Sequence, residues 1–132
     1  MSKGEFCVAA LGNAIVDVIV KVENSFLVDN SIEKGVMTVI DADQAEALYN
    51  KLVVETEMSG GSAANTVAGL ASMGGRGAFI GKVRNDELGA IFQRDIRSLG
   101  VRFDPPPATS GAGSARCLVL VTEDAERTMN TY

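Results

Sequence analysis

Two stretches of the sequence hold the residue types that grip small hydroxylated or anionic molecules. The first is Ser59-Gly60-Gly61-Ser62, followed by Asn65. Adjacent glycines reach backbone angles that other residues avoid, and leave no Cβ between chain and ligand. A helix starting just past them would aim its free N–H groups at ligand oxygens. Asn65, in the first turn of that helix, offers both a donor and an acceptor. The competing reading is a plain tight turn with a helix-side Asn.

The second stretch contains Asn13 and Asp17, both set in otherwise apolar sequence. On one extended strand, residues four apart point the same way, about 13 Å apart at about 3.3 Å per residue. A turn at Asn13 would shorten that separation. An ionised Asp17 among Ile15, Val16, Val18 and Ile19 is costly to bury alone, and hydroxyl groups or a cation would be its partners. The competing reading is a solvent-facing carboxylate on an amphipathic strand.

Several other chemistries are excluded. The chain has no histidine, so Ser-His-Asp and Cys-His nucleophiles and His-ligated zinc are ruled out. Gly111-Ala-Gly113 runs into strand-like sequence, with Arg116 where a dinucleotide fingerprint needs its third glycine. Gly77 and Gly81 stand too close for a Walker A loop, and Val83 follows Lys82 in place of Ser or Thr. Cys7 and Cys117 are expected to be buried thiols filling core space, not a disulfide. A net charge of -5 argues against nucleic acid or an anionic membrane as partner. The apolar runs are short of a membrane span and Met1-Ser-Lys-Gly-Glu5 is no signal peptide, so a cytoplasmic protein is expected.

The elements that must position these residues follow from periodicity. Phe6–Leu11 is a continuous apolar run, suited to a strand buried on both faces. Ala14–Val22 alternates, with valine at every second position, and Val36–Ile40 is a short strand. Asn24–Lys34 reads as a loop or a short turn of helix. Asp41 opens a helix with Gln44 at capping-box spacing, and Ala45, Leu48, Tyr49 and Leu52 form its apolar face. Val53–Met58 is a weak strand. A second helix covers about Ala63–Met73 and stops at Gly74-Gly75. Ala78–Val83 is a strand. Asp86 caps a third helix striped by Leu88, Ile91, Phe92, Ile96 and Leu99. The proline- and glycine-rich 104–113 stretch is a loop, and 115–122 with 126–132 is a hairpin. Strands alternating with helices imply βαβ units and a mostly parallel sheet. The hairpin and the period-two segments fit a separate small sheet over one edge.

Taken together, Gly12-Asn-Ala-Ile-Val-Asp17, Ser59-Gly-Gly-Ser-Ala-Ala-Asn65, Gly74, Gly81, Asp86-Glu-Leu-Gly89 and Asp124-Ala-Glu-Arg127 resemble the PfkB family of carbohydrate and nucleoside kinases. Lys34-Gly-Val-Met37 and Arg127 look closest to its adenosine kinase-like branch. Val67 and Arg84 depart from the family pattern, which has a small residue and a glycine there. The resemblance implies an α/β fold: the N-terminal part of a ribokinase-like three-layer, Rossmann-like sheet with a small β lid. On that reading, residues 1–132 are the substrate-binding part, with lid segments at about 14–40 and 115–132.

The resemblance further implies that Asn13, Asp17, Gly60, Gly61 and Asn65 hold sugar hydroxyls. Ile15, Met37, Met129 and Thr131 would supply the apolar side of the pocket. Arg127 would approach the transferring phosphate, in keeping with guanidinium chemistry; its competing role is pairing with Asp124 or Glu126. The family's catalytic Asp and ATP site come from a later Gly-Ala-Gly-Asp segment, which is not present here. ATP and Mg2+ are therefore expected to be held mainly by residues outside this chain, and no residue in it is a catalytic base. A sugar or nucleoside is the expected small-molecule partner; the alternative is a non-catalytic module that binds a ligand or forms a homodimer through the lid.

Overall fold

The computed structural model describes residues 5–132; Met1–Gly4, the start of the segment read as no export signal, lie outside them. The chain runs β1 (Val8–Leu11), β2 (Ile15–Lys21), α1 (Asn24–Asp29), β3 (Met37–Val39), α2 (Ala42–Tyr49) and β4 (Thr56–Gly60). It continues through α3 (Ser62–Ser72), β5 (Gly77–Ile80), α4 (Glu87–Ser98), β6 (Ala115–Val121) and β7 (Arg127–Thr131). The result is the expected mixed α/β architecture. The described residues form two compact units, 5–16 with Met58–Ala115, and Asp17–Glu57 with Arg116–Tyr132.

In the first unit, β1 and β5 pair in parallel, from Val8 opposite Gly77 to Leu11 opposite Ile80. Helix α3 packs Val67, fully buried, where Gly77 lacks a side chain; a Cβ there would stand 3.3 Å from that of Val67. The departure at Val67 thus fills space that Gly77 opens. Phe79, Phe92 and Phe103 form a triangle with ring centroids 5.4–5.8 Å apart, which locks α4 onto β5. Gly74 takes φ +82° and its N–H donates to Ala71 O, while Gly75 N–H reaches Leu70 O. This paired glycine cap ends α3 as its sequence predicts.

The run at Phe6–Leu11 is not buried on both faces. Val8 is 42% and Leu11 79% exposed, because β1 has one neighbour, β5. Cys7, just before β1, is exposed as well, and only Cys117 is the buried thiol expected. Leu99 also departs from the expected stripe: it is the cap residue beyond the last turn of α4 and lies exposed.

Asp86 starts α4 as expected. Its carboxylate accepts from Gly89 N–H (2.8 Å), Ser114 N–H (2.8 Å) and the Ser114 hydroxyl (2.7 Å), tying the end of the 104–113 loop to the helix. Burial opposes ionisation, but those donors and Arg84 together hold the carboxyl below its ordinary value. A depressed pKa stabilises the fold above about pH 4, and the contribution is lost as pH falls through the folded value. Asp86→Ala should cost about 2 kcal/mol at neutral pH, since a cap and two further bonds go. Denaturant melts at pH 7 and pH 3 check this: the gap between wild type and variant should narrow at the lower pH.

The expected small lid is the larger of the two sheets, with strand order β3-β7-β6-β2-β4. It takes in β4, which begins at Thr56, later than the weak strand expected from Val53. Strand β2 keeps the expected period: Val16, Val18 and Val20 are buried and Ile15, Asp17 and Ile19 half-buried. The hairpin pairs Cys117 with Thr131 through Val121 with Arg127, and β3 adds in parallel with Met37 opposite Met129. Both capping-box bonds of Asp41 and Gln44 form, at 2.8 and 3.0 Å. Arg116 pairs with Glu46 (2.5 Å) and lies over the Tyr49 ring, joining β6 to α2.

Candidate functional site

The first unit gathers the glycine turn and the loop after β1. Strand β4 runs through Ser59 and Gly60, α3 begins at Ser62, and Gly61 alone makes the turn. It does so at φ +95°, an angle glycine tolerates and other residues rarely adopt. The turn is tighter than the four-residue one expected. A Cβ on Gly61 would lie 2.8 Å from the Asn13 carbonyl and 4.0 Å from Ile15. A Cβ on Gly12 would lie 2.8 Å from that of Ala63, and one on Gly81 2.9 Å from the Gly12 carbonyl. Three glycines therefore let the 12–13 loop sit between the start of α3 and the end of β5.

Asn13 is not on an extended strand with Asp17. It stands in the break between β1 and β2 and is exposed, so the same-side argument from strand geometry does not apply to it. A cavity of about 490 Å³ opens there, lined by Gly12, Asn13, Ala14, Gly81, Lys82 and Pro105 among others. No side chain caps the N-terminus of α3, and Asn65 in its first turn is exposed, its own N–H donating to Gly61 O at 2.9 Å. Arg84, the second departure, braces the neighbouring loop: its guanidinium donates to Gly111 O and its N–H to Ser114 Oγ.

The second unit gathers the other candidates on one sheet face. Cross-strand partners share a face, so Met37, Met129 and Val119 form one row, and Val39, Thr131 and Cys117 the next. Asp17 belongs with them. Burial, and then its carboxylate, push the Cys117 thiol up, while the Thr131 hydroxyl donating to Sγ at 3.3 Å acts the other way. Asp17 itself is pushed up by burial. Among the described residues its carboxylate has no hydrogen-bond or ion-pair partner. Val119, Cys117 and Val39 are members of this face that sequence reasoning missed; the hairpin register could have found the first two, while Val39 joins through the parallel β3–β7 pairing.

Arg127 lies at the start of β7, exposed and opposite Val121. The pairing with Asp124 or Glu126 does not form. Asp124 is taken by Lys34 (2.7 Å) and by the Thr122 hydroxyl (2.7 Å), which hold it down to about 2. Gly35 N–H donates to Thr128 Oγ1 at 2.9 Å, so the Lys34-Gly35 turn is fastened to the hairpin at two points.

The sequence pattern of the pfkB family carbohydrate kinases matches residues 8–132. The chain belongs to that family. Among solved structures it is similar to the adenosine kinase of Sinorhizobium meliloti, at 51% identity and a TM-score of 0.87 over 98% of this chain and 39% of that one. It is also similar to a probable sugar kinase of Rhizobium etli CFN 42, at 49% identity and 0.86 over 96% and 38%. The probable chloroplastic fructokinase-6 of Arabidopsis thaliana is 38% identical over 78 residues, 55% of this chain and 19% of that protein. This pfkB chain thus spans roughly a fifth of the length of the curated relatives it matches.

Kinases of this family imply a nucleoside triphosphate and a divalent metal. The described residues do not fit the metal: no three His, Cys, Asp or Glu side chains converge on a point that could hold one. Gly111, at φ +93°, lies in a loop rather than at the start of a helix, and its carbonyl accepts from Arg84. No helix among the described residues is long and apolar enough to cross a membrane.

Proposed function

We propose that this chain is the acceptor-substrate-binding part of an ATP-dependent kinase that phosphorylates a hydroxyl of a sugar or nucleoside. The observation that carries the reading is Asp17, a half-buried carboxylate without a hydrogen-bond or ion-pair partner among the described residues, on a sheet face of Met37, Met129, Val119 and Thr131. Charged acceptors make the stronger hydrogen bonds, and two ribose hydroxyls would satisfy this one. Missing hydroxyls would leave it unpaired, which rejects deoxy analogues. Asn13, Gly60, Gly61 and Asn65 supply further polar groups to the acceptor; Ile15, Met37, Met129 and Thr131 supply the apolar wall.

Adenosine or a similar ribose-containing molecule is the favoured acceptor, supported by the 51% identity to a protein described as an adenosine kinase. Arg127, exposed and unpaired among the described residues, is the candidate to meet the transferring phosphoryl group. ATP and Mg2+ are held chiefly by residues outside this chain. The test is turnover by the full-length protein of adenosine, ribose and fructose with MgATP. Phosphorylation of adenosine in preference to 2′-deoxyadenosine is expected; no phosphorylation of any of them sinks the reading.

A second reading treats the lid as an interface. It is favoured by β3, where Met37 is 57% and Val39 76% exposed on an edge strand. Sedimentation should then give a dimer that Val39→Lys dissociates. A monomer at tens of micromolar removes this reading.

A further inference from the structure

Strand β4 lies at the edge of its sheet and ends on Ser59 and Gly60, one residue before the glycine that makes the turn. Edge strands leave N–H groups without a ladder partner, and a buried one must be satisfied elsewhere. Ser59 is buried, and its N–H donates to Asp95 Oδ2 at 2.6 Å. The donor and the carboxylate are 36 residues apart in sequence. Asp95 is well fixed. It rides on α4 between buried Phe92 and Ile96, and Phe92 is clasped by Phe79 and Phe103. The start of that helix is held by Asp86.

We propose that Asp95 is a positioning residue for the acceptor site. Its bond to Ser59 N–H sets the direction of the Gly60-Gly61 backbone and of the first N–H groups of α3. Glycines are the residues least able to hold a direction by themselves, because their backbone is the freest. A half-buried carboxylate on α4, gripping the N–H of Ser59 two residues upstream of Gly61, supplies the restraint that the turn lacks. Charge-assisted hydrogen bonds of this kind are among the stronger ones, so losing it should be felt about tenfold in binding. The inference rests on the acceptor-binding reading above.

The experiment uses the full-length protein with Asp95→Leu and Asp95→Asn. Adenosine is the probe acceptor, and backbone hydrogen exchange is followed across residues 59–63. Asp95→Leu should raise the KM for adenosine about tenfold, leave the KM for ATP unchanged, and speed exchange across 59–63 about tenfold. Asp95→Asn keeps an acceptor oxygen and should recover most of both effects. Unchanged exchange, an unchanged adenosine KM, or a parallel rise in both KM values overturns the proposal. If the wild-type protein phosphorylates no sugar or nucleoside, the functional reading fails separately. Exchange alone then decides the tether: faster in Asp95→Leu with recovery in Asp95→Asn supports it, and no change overturns it.

Discussion

Asp17→Asn should lower kcat/KM for the acceptor at least a hundredfold while leaving the fold as stable as before or more so. Two hydroxyls donating to a carboxylate contribute roughly 1.5–3 kcal/mol each, so about 3 kcal/mol is the low end of the loss. The stability effect has the opposite sign because the carboxylate is half-buried and has no partner among the described residues. Burial raises its pKa above the ordinary 3.8, so the native chain holds that proton more tightly than the unfolded one. Stability attributable to Asp17 therefore falls as pH rises from about 4 through the folded value, and at neutral pH the charge is a net cost. The amide removes it. The same shift makes acceptor binding weaken on the acid side sooner than an ordinary carboxylate would cause. Steady-state kinetics and a thermal melt at pH 7, on both proteins, check the two signs together. A variant that loses stability and activity in proportion would mean that Asp17 is merely structural.

Gly61→Ala should lower stability by about 3 kcal/mol, or about 10 °C in the melting midpoint for a chain of this size. Two costs add. The backbone stands at φ +95° and ψ 140°, a region reserved for glycine. The new Cβ would also lie 2.8 Å from the Asn13 carbonyl, a backbone atom that has no rotamer to escape into. Gly69→Ala is the control. Gly69 sits inside α3 with nothing within 4 Å of the added methyl, so its replacement should stabilise by about 0.5–1 kcal/mol. A Gly61 variant that melts with wild type would show the strained turn to be relaxed in solution.

Local signals in the sequence carried far. The Asp41–Gln44 box, the Asp86 cap, the Gly74-Gly75 stop and the hairpin all depend on residues within a few positions of one another, and all form. The valine alternation at 16, 18 and 20 likewise reads directly as a dry strand face. Burial that depends on distant neighbours was not legible. Phe6–Leu11 has the composition of a central strand, yet exposure depends on which strands flank it, and β1 has only β5. Asp95 gave no signal, since a carboxylate on a helix is unremarkable until its Ser59 partner is known. Of the candidate site, the residue types were legible. Which of them share a face was not, because that follows from the Met37–Met129 and Cys117–Thr131 registers.

The boundary between the two units cuts the chain after Val16, after Glu57 and after Ala115, and each cut falls inside a strand: β2, β4 and β6. Each unit is therefore woven from separated stretches, and neither can be released by clipping a linker. The order of synthesis then matters. The stretches of this chain that form the first unit have all been made once Ala115 has been added. The sheet of the second must wait for β7, because β3 reaches the rest of its sheet through that strand. Until then Met37 and Val39 have no partner, and pairing that spans some ninety residues is slow to form. A chain ending at Val121 and free in solution should thus protect β1 and β5 from exchange while β3 remains open.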